Sequence, residues 1–143
     1  MFIGRYYHRL EDKGRVSLPK VFREVGSDWI ITRGLDGGLF LFRPETFEKQ
    51  VQELSERTFT KKINRDFMRY MVNDARLVTL DKQGRVLLPE YLTTFAHLTK
   101  EVVVVGSFQY IELWDQNRYH KYLDTLENSA EQIAEQIETK ETV

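Results

Sequence analysis

The chain has 143 residues, enough for one ordinary domain or two small halves sharing a core. Its 41% hydrophobic and 30% charged residues suit a soluble globular protein, no apolar run nears the ~20 residues of a membrane helix, and the lack of cysteine excludes disulfides, thiol nucleophiles and zinc–thiolate sites. The net charge of −1 argues against a uniformly basic nucleic-acid binder but hides an asymmetry: residues 124–143 hold six acids against one base, a net of −5, which leaves +4 on the rest.

The opening Met1-Phe2-Ile3-Gly4-Arg5 lacks the apolar stretch of a secretory leader. Residues 5–23 then carry six bases, including Arg5, Arg9, Lys13, Arg15 and Lys20, against Glu11 and Asp12, a local net of +4 able to attract phosphate. Within this window lies Leu10-Glu11-Asp12-Lys13-Gly14-Arg15-Val16-Ser17-Leu18-Pro19, which aligns without a gap on Leu80-Asp81-Lys82-Gln83-Gly84-Arg85-Val86-Leu87-Leu88-Pro89. An internal repeat outranks single motifs, because it constrains architecture before any local assignment is made.

Each copy predicts a polar turn, with Glu11 and Gly14 or Asp81 and Gly84 forming its ends, then a short strand and a short helix opening on proline. A hairpin follows in each half: 29–33 and 39–42 around Asp36-Gly37-Gly38, then 101–106 and 111–114. The spacing sets Gly34 in register with Gly106, and Leu41 with Leu113. A helix then closes each half, one from Pro44 with Phe47, Val51 and Leu54 on its apolar face, the other capped by Asp115 with Tyr119, Tyr122, Leu123 and Leu126 inward. Between the halves, Lys61 to Ala75 predicts a basic amphipathic linking helix whose apolar face holds Ile63, Phe67, Tyr70 and Met71. The tail after Leu126 has little to bury and is expected as a frayed helix or a disordered segment.

An arginine on the first strand residue after a rigid turn has two compatible uses. It can brace the turn through a salt bridge to Glu11 or Asp81, or its planar guanidinium can donate two parallel hydrogen bonds to guanine O6 and N7 in a major groove. Neither half has enough sheet for a core of its own, so interleaved halves would set both turns about a pseudo-two-fold axis. The matching window 74–93 balances three bases against three acids, so the first copy is expected to dominate phosphate attraction.

With the opening Met1-Phe2-Ile3-Gly4, the doubled Leu-acid-x-x-Gly-Arg-x-x-x-Pro motif, and the run from Leu98 to Gly106 followed by Glu112-Leu113-Trp114-Asp115, residues 1–126 resemble the MraZ family of bacterial regulators, built from two tandem SpoVT-AbrB-type domains. The resemblance implies a β-rich α+β fold, two swapped-hairpin AbrB-like halves forming a double-split β-barrel with flanking helices. Its divisions would be 1–54 and 76–126 for the two domains, 55–75 for the linking segment and 127–143 for the acidic tail. It implies a cytoplasmic, nucleoid-associated transcription factor that binds double-stranded DNA, acts on the promoter of the division and cell-wall gene cluster, and assembles into rings suited to tandem direct repeats. The family's DNA-contacting arginine falls on Arg15, with Arg85 as its internal counterpart; Lys13, Arg5, Arg9 and Lys20 are expected as supporting contacts. Position 11 departs from the family's usual Asp, and the longer Glu11 is expected to brace its turn less tightly.

An enzyme is not expected, nor a cofactor or metal. His8, His97 and His120 have no metal-ligand spacing, and neither a phosphate-binding glycine loop nor a serine elbow is present. The rival reading is an AbrB-type antitoxin or protein-binding scaffold, although such antitoxins usually carry one barrel copy and a long disordered arm.

Overall fold

The computed structural model describes residues 1–141. In chain order the elements are β1 (Arg5–Arg9), β2 (Arg15–Ser17), α1 (Lys20–Arg23), β3 (Asp28–Arg33), β4 (Leu39–Phe42), α2 (Pro44–Ser55), α3 (Lys62–Val72), β5 (Arg76–Thr79), β6 (Arg85–Leu87), α4 (Glu90–Phe95), β7 (Glu101–Gly106), β8 (Ile111–Asp115) and α5 (Gln116–Glu141).

The two repeats exchange strands. β1 of the first repeat pairs with β7 of the second, while β5 of the second pairs with β3 of the first. A six-stranded antiparallel sheet results, in the order β1-β7-β8-β4-β3-β5, and β2 and β6 form a separate two-stranded ribbon. The pairing is reciprocal about a pseudo-two-fold axis. In the ribbon Val16 faces Val86, Arg15 faces Leu87 and Ser17 faces Arg85; between the hairpins Phe40 faces Glu112, Leu39 faces Leu113 and Leu41 faces Ile111. Single bonds obey the same symmetry: Leu18 N–H donates to Gly84 O at 3.1 Å, and Leu88 N–H to Gly14 O at 2.9 Å. The structure is thus an antiparallel β-rich α+β fold with five α-helices among the described residues and two tandem repeats, and its hydrogen-bonded ladders leave β1 and β5 as open edges.

One core serves both repeats. Val16, Leu18, Trp29, Ile31, Leu39 and Leu41 from the first meet Val86, Leu88, Val102, Val104, Ile111 and Leu113 from the second. Alternation along the strands puts Trp29 in the place of Val102 and Ile31 in that of Val104, while Leu41 and Leu113 correspond as expected. The expected match of Gly34 with Gly106 is therefore one residue out, and Arg33 stands in the place of Gly106. The turn after β7 is one residue shorter than the turn after β3, and inward-facing parity, not glycine identity, sets the alignment.

The other face of the sheet carries the helices. Phe40 and Phe42 pack with Phe47 and Leu54 of α2 and with Tyr70 and Met71 of α3. Val103, Val105 and Trp114 pack with Tyr119 and Tyr122 of α5. Asp115 caps α5 as expected, its Oδ2 accepting from Arg118 N–H at 3.2 Å and its Oδ1 from the Thr99 hydroxyl at 2.7 Å. Pro44 occupies the first turn of α2, whereas Pro19 and Pro89 stand just before α1 and α4 as their caps. The C-terminus of α3 is tied to β3: the Thr32 hydroxyl donates to Met71 O at 2.8 Å and the Arg33 guanidinium to Tyr70 O at 3.0 Å, placing a cation against the helix's negative end. One expectation changes, and one pair of alternatives is resolved. On α3, Ile63 and Phe67 stay exposed, at 75% and 37%. Beyond Leu126 the chain continues as helix to Glu141; Thr142 and Val143 lie outside the described residues.

Glu112 sits at the pseudo-two-fold axis between the two helical layers. Burial pushes its carboxyl above the usual range, despite hydrogen bonds from Ser107 Oγ at 2.6 Å and Trp114 Nε1 at 3.4 Å. A carboxyl that binds its proton more tightly when folded contributes stability that is complete below its unfolded pKa and is lost as pH rises through the folded one. Glu112→Gln is therefore expected to match the parent protein in acid and to exceed it in stability at neutral pH, measured as urea midpoints across that range.

Candidate nucleic-acid interface

The two repeated turns differ in ways that follow from a few side chains. In the second, Asp81 is short enough for Oδ1 to accept from the N–H of Gln83 at 2.9 Å and of Arg85 at 3.0 Å, a bracing pattern for which aspartate has the right length. Arg85 Nε bonds Asp81 Oδ2 at 2.9 Å, and its Nη1 reaches Glu11 Oε1 in the other turn at 3.1 Å. The Arg85 backbone N–H is the largest of the bonds that hold the Asp81 carboxyl below the usual range, and the two carboxylates hold the Arg85 guanidinium above its own. The Arg23 guanidinium closes the turn from above, donating to Gln83 O at 3.1 Å. It lies so near Gly84, whose φ is +78°, that a Cβ there would meet it at 1.6 Å.

The first turn lacks these restraints. Glu11 makes no side-chain cap to its own backbone, and its extra methylene carries the carboxylate across to Arg85 instead. The chain compensates with two consecutive left-handed residues, Lys13 at φ 68° and Gly14 at φ 82°. Lys13 is exposed, and a non-glycine residue in that region is strained. Arg15 is half-buried at the start of β2; among the described residues its side chain makes no hydrogen bond or ion pair. Two arginines equivalent by sequence therefore have opposite surroundings: Arg85 is held by two carboxylates, and Arg15 keeps an uncompensated charge.

The remaining predicted residues do not all gather at this turn. Arg5 and Arg9 alternate with Tyr6 and His8 on the edge strand β1, on the side that carries Tyr7, whose hydroxyl meets His120 Nε2 of α5 at 2.9 Å. Arg9 is ion-paired with Glu101 on the facing strand at 3.1 Å. Lys20 is exposed at the start of α1 with no ion pair among the described residues. His8 lies on the opposite side; burial first, and the Arg23 charge second, hold its imidazole below the usual range, so it is a poor cation for phosphate at neutral pH. The sequence did not single out Arg76, which lines with Lys13 a cleft of about 460 Å³ running beside Leu87 and Pro89, and whose guanidinium lies 5.3 Å from the Tyr91 ring. Its place became visible only once β5 had paired with β3. Among the described residues no His, Asp and Glu cluster is placed to hold a metal, and no helix is long and apolar enough to cross a membrane.

Comparison with known proteins also divides the chain into two repeats. The family described as "MraZ protein, putative antitoxin-like" matches residues 1–70 and again 71–140. Proteins named transcriptional regulator MraZ from Halothermothrix orenii, Moorella thermoacetica and Pediococcus pentosaceus are 40%, 39% and 38% identical to the chain. The first aligns over 139 residues, 96% of this chain and 97% of the relative; the second and third cover 96% of both. With strand exchange, both arginine turns and these matches taken together, the chain belongs to the MraZ family.

Proposed function

We propose that this chain is a sequence-specific DNA-binding transcriptional regulator, not an enzyme, and that Arg15 is its base-reading side chain. The observation that carries the reading is the contrast between the turns. A guanidinium without a carboxylate partner, on a strand held at the fold's axis, can offer its fork of donors to a guanine edge, whereas one already holding two carboxylates would have to give them up. The names of the relatives support regulation of transcription. Arg85 then acts mainly by bracing the second turn and holding Glu11 away from Arg15. Lys13, with its exposed ammonium, acts on phosphate, joined by Lys20 and Arg5; Arg9 contributes less because Glu101 shares its charge.

In this reading the sheet and the β2–β6 ribbon work together as the double-split barrel of the family, and copies associate into a ring that sets several Arg15 turns against tandem direct repeats. The target is the promoter of the division and cell-wall gene cluster, reached in the cytoplasm at the nucleoid. The printed family description keeps the antitoxin alternative in view; copurification with a toxin from the native host would favour it.

Three measurements test the reading. Arg15→Ala is expected to lose about 1–3 kcal/mol of discrimination between operator and scrambled DNA, while Arg85→Ala loses less; full discrimination in the Arg15 variant overturns the assignment. Lys13→Ala is expected to weaken binding to all sequences alike and to reduce the slope of log affinity against log salt by about one. Footprinting on DNA upstream of the protein's own gene is expected to protect regularly spaced boxes, and uniform weak protection would remove the operator model.

A further inference from the structure

Two apolar surfaces on the outer side of the sheet stay partly exposed among the described residues. The first is on α5. Tyr119, Leu123, Leu126, Ala130, Ile133 and Ile137 recur at alternating steps of four and three, the spacing of a helix-packing seam. Tyr119 packs on Val103, Val105 and Trp114, and Leu123 and Leu126 are half-buried. Past them the same stripe runs clear of the sheet: Ala130 is exposed, and Ile133 and Ile137 keep 40% and 54% of their surface open. A helix outside any packing contact has little reason to keep its apolar residues in register. This one does so for two further turns, while its polar sides carry acids such as Glu127 and Glu131.

The second surface is on the α2–α3 pair. A groove of about 360 Å³ between them has Leu54, Phe59 and Met68 among its walls and Arg57, Arg65 and Arg69 at its rim, Arg69 being ion-paired with Asp66 at 2.9 Å. Phe59 and Ile63 are 79% and 75% exposed beside it. Arg57 has no ion pair among the described residues, and Arg65 is bonded only to the neutral carbonyl of Phe59.

We infer that the distal half of α5 from one copy of this chain docks in the α2–α3 groove of the next. The charges select this occupant. A tail of net −5 opposed to a second identical tail repels it, whereas the groove's rim is cationic and its walls are apolar. The same chain cannot fill its own groove with this helix intact, because α5 is continuous from its packing on β7 and β8 out to Glu141. The contact joins two different surfaces, so it is head-to-tail and propagates until it closes. It names the interface for the self-association proposed above and rests on that reading; it does not involve the Arg15 turn.

The test uses the full chain and two exposed double variants, Ile133→Asp with Ile137→Asp in the tail and Arg57→Glu with Arg65→Glu in the groove, each checked by circular dichroism for an unchanged melt. In sedimentation velocity the parent chain is expected to run as assemblies larger than the 17.0 kDa monomer, and each variant as the monomer. An equal mixture of the two variants is expected to give a two-chain species, since one keeps an intact groove and the other an intact tail. Assemblies that persist in both variants would overturn this contact and leave self-association standing. A groove variant that still assembles while the tail variant does not would mean that tails pair with tails, which also overturns it. A parent chain that is monomeric at every concentration would remove the contact and the ring together.

Discussion

The exchange of strands between the two repeats is the constraint on which the rest of the molecule depends. A hairpin of two short strands is marginal alone in water. Here each hairpin gains a third strand, and that strand belongs to the other repeat: β1 completes β7–β8, and β5 completes β3–β4. The ribbon of β2 and β6 closes the arrangement by pairing Val16 with Val86, both without solvent exposure. Burying a valine completely is worth about 1.5–3 kcal/mol relative to leaving it exposed, and here the gain exists only when both repeats are present. The motif's alternation makes the same contact that seals the core also set Arg15 and Arg85 at the start of their strands.

A symmetric backbone does not require symmetric chemistry. Arg23 closes over Gly84, while its counterpart by sequence, Thr93, turns its hydroxyl back to Glu90 O at 2.9 Å. Asp81 braces its own turn, and Glu11, one methylene longer, bonds across the axis. Both differences act in the same direction. They consolidate the second turn and leave the first with a strained lysine and a guanidinium that is unpaired among the described residues. Duplication supplies the scaffold twice, and substitution at a few turn positions separates a bracing copy from an open one.

The outer face of the sheet repeats this division between shared plan and local difference. The first repeat covers it with the α2–α3 pair and the second with α5. The half-buried carboxyl of Glu112 lies where the two layers meet, opposite Phe40. The apolar residues left uncovered, on α3 in one repeat and on distal α5 in the other, fall on elements of opposite net charge.

The sequence by itself determined the duplication, the two glycine-tipped turns, both hairpins, the Asp115 cap and the family, because these rest on near neighbours in the chain and on identities that survive alignment. It also pointed to a looser turn at Glu11, since side-chain length is a local property. Tertiary structure alone decided which repeat each edge strand joins, that Trp29 and not Ile30 corresponds to Val102, and that Ile63 and Phe67 face outward although their spacing is that of a packed face. It alone decided that Arg85 would hold Glu11 while Arg15 finds no such partner among the described residues. Partners such as Glu11 and Arg85, or Arg23 and Gly84, are separated along the chain and adjacent only after strand exchange. Hydrophobic periodicity marks a face as apolar without naming what covers it, and a motif names an arginine without naming the carboxylate that claims it.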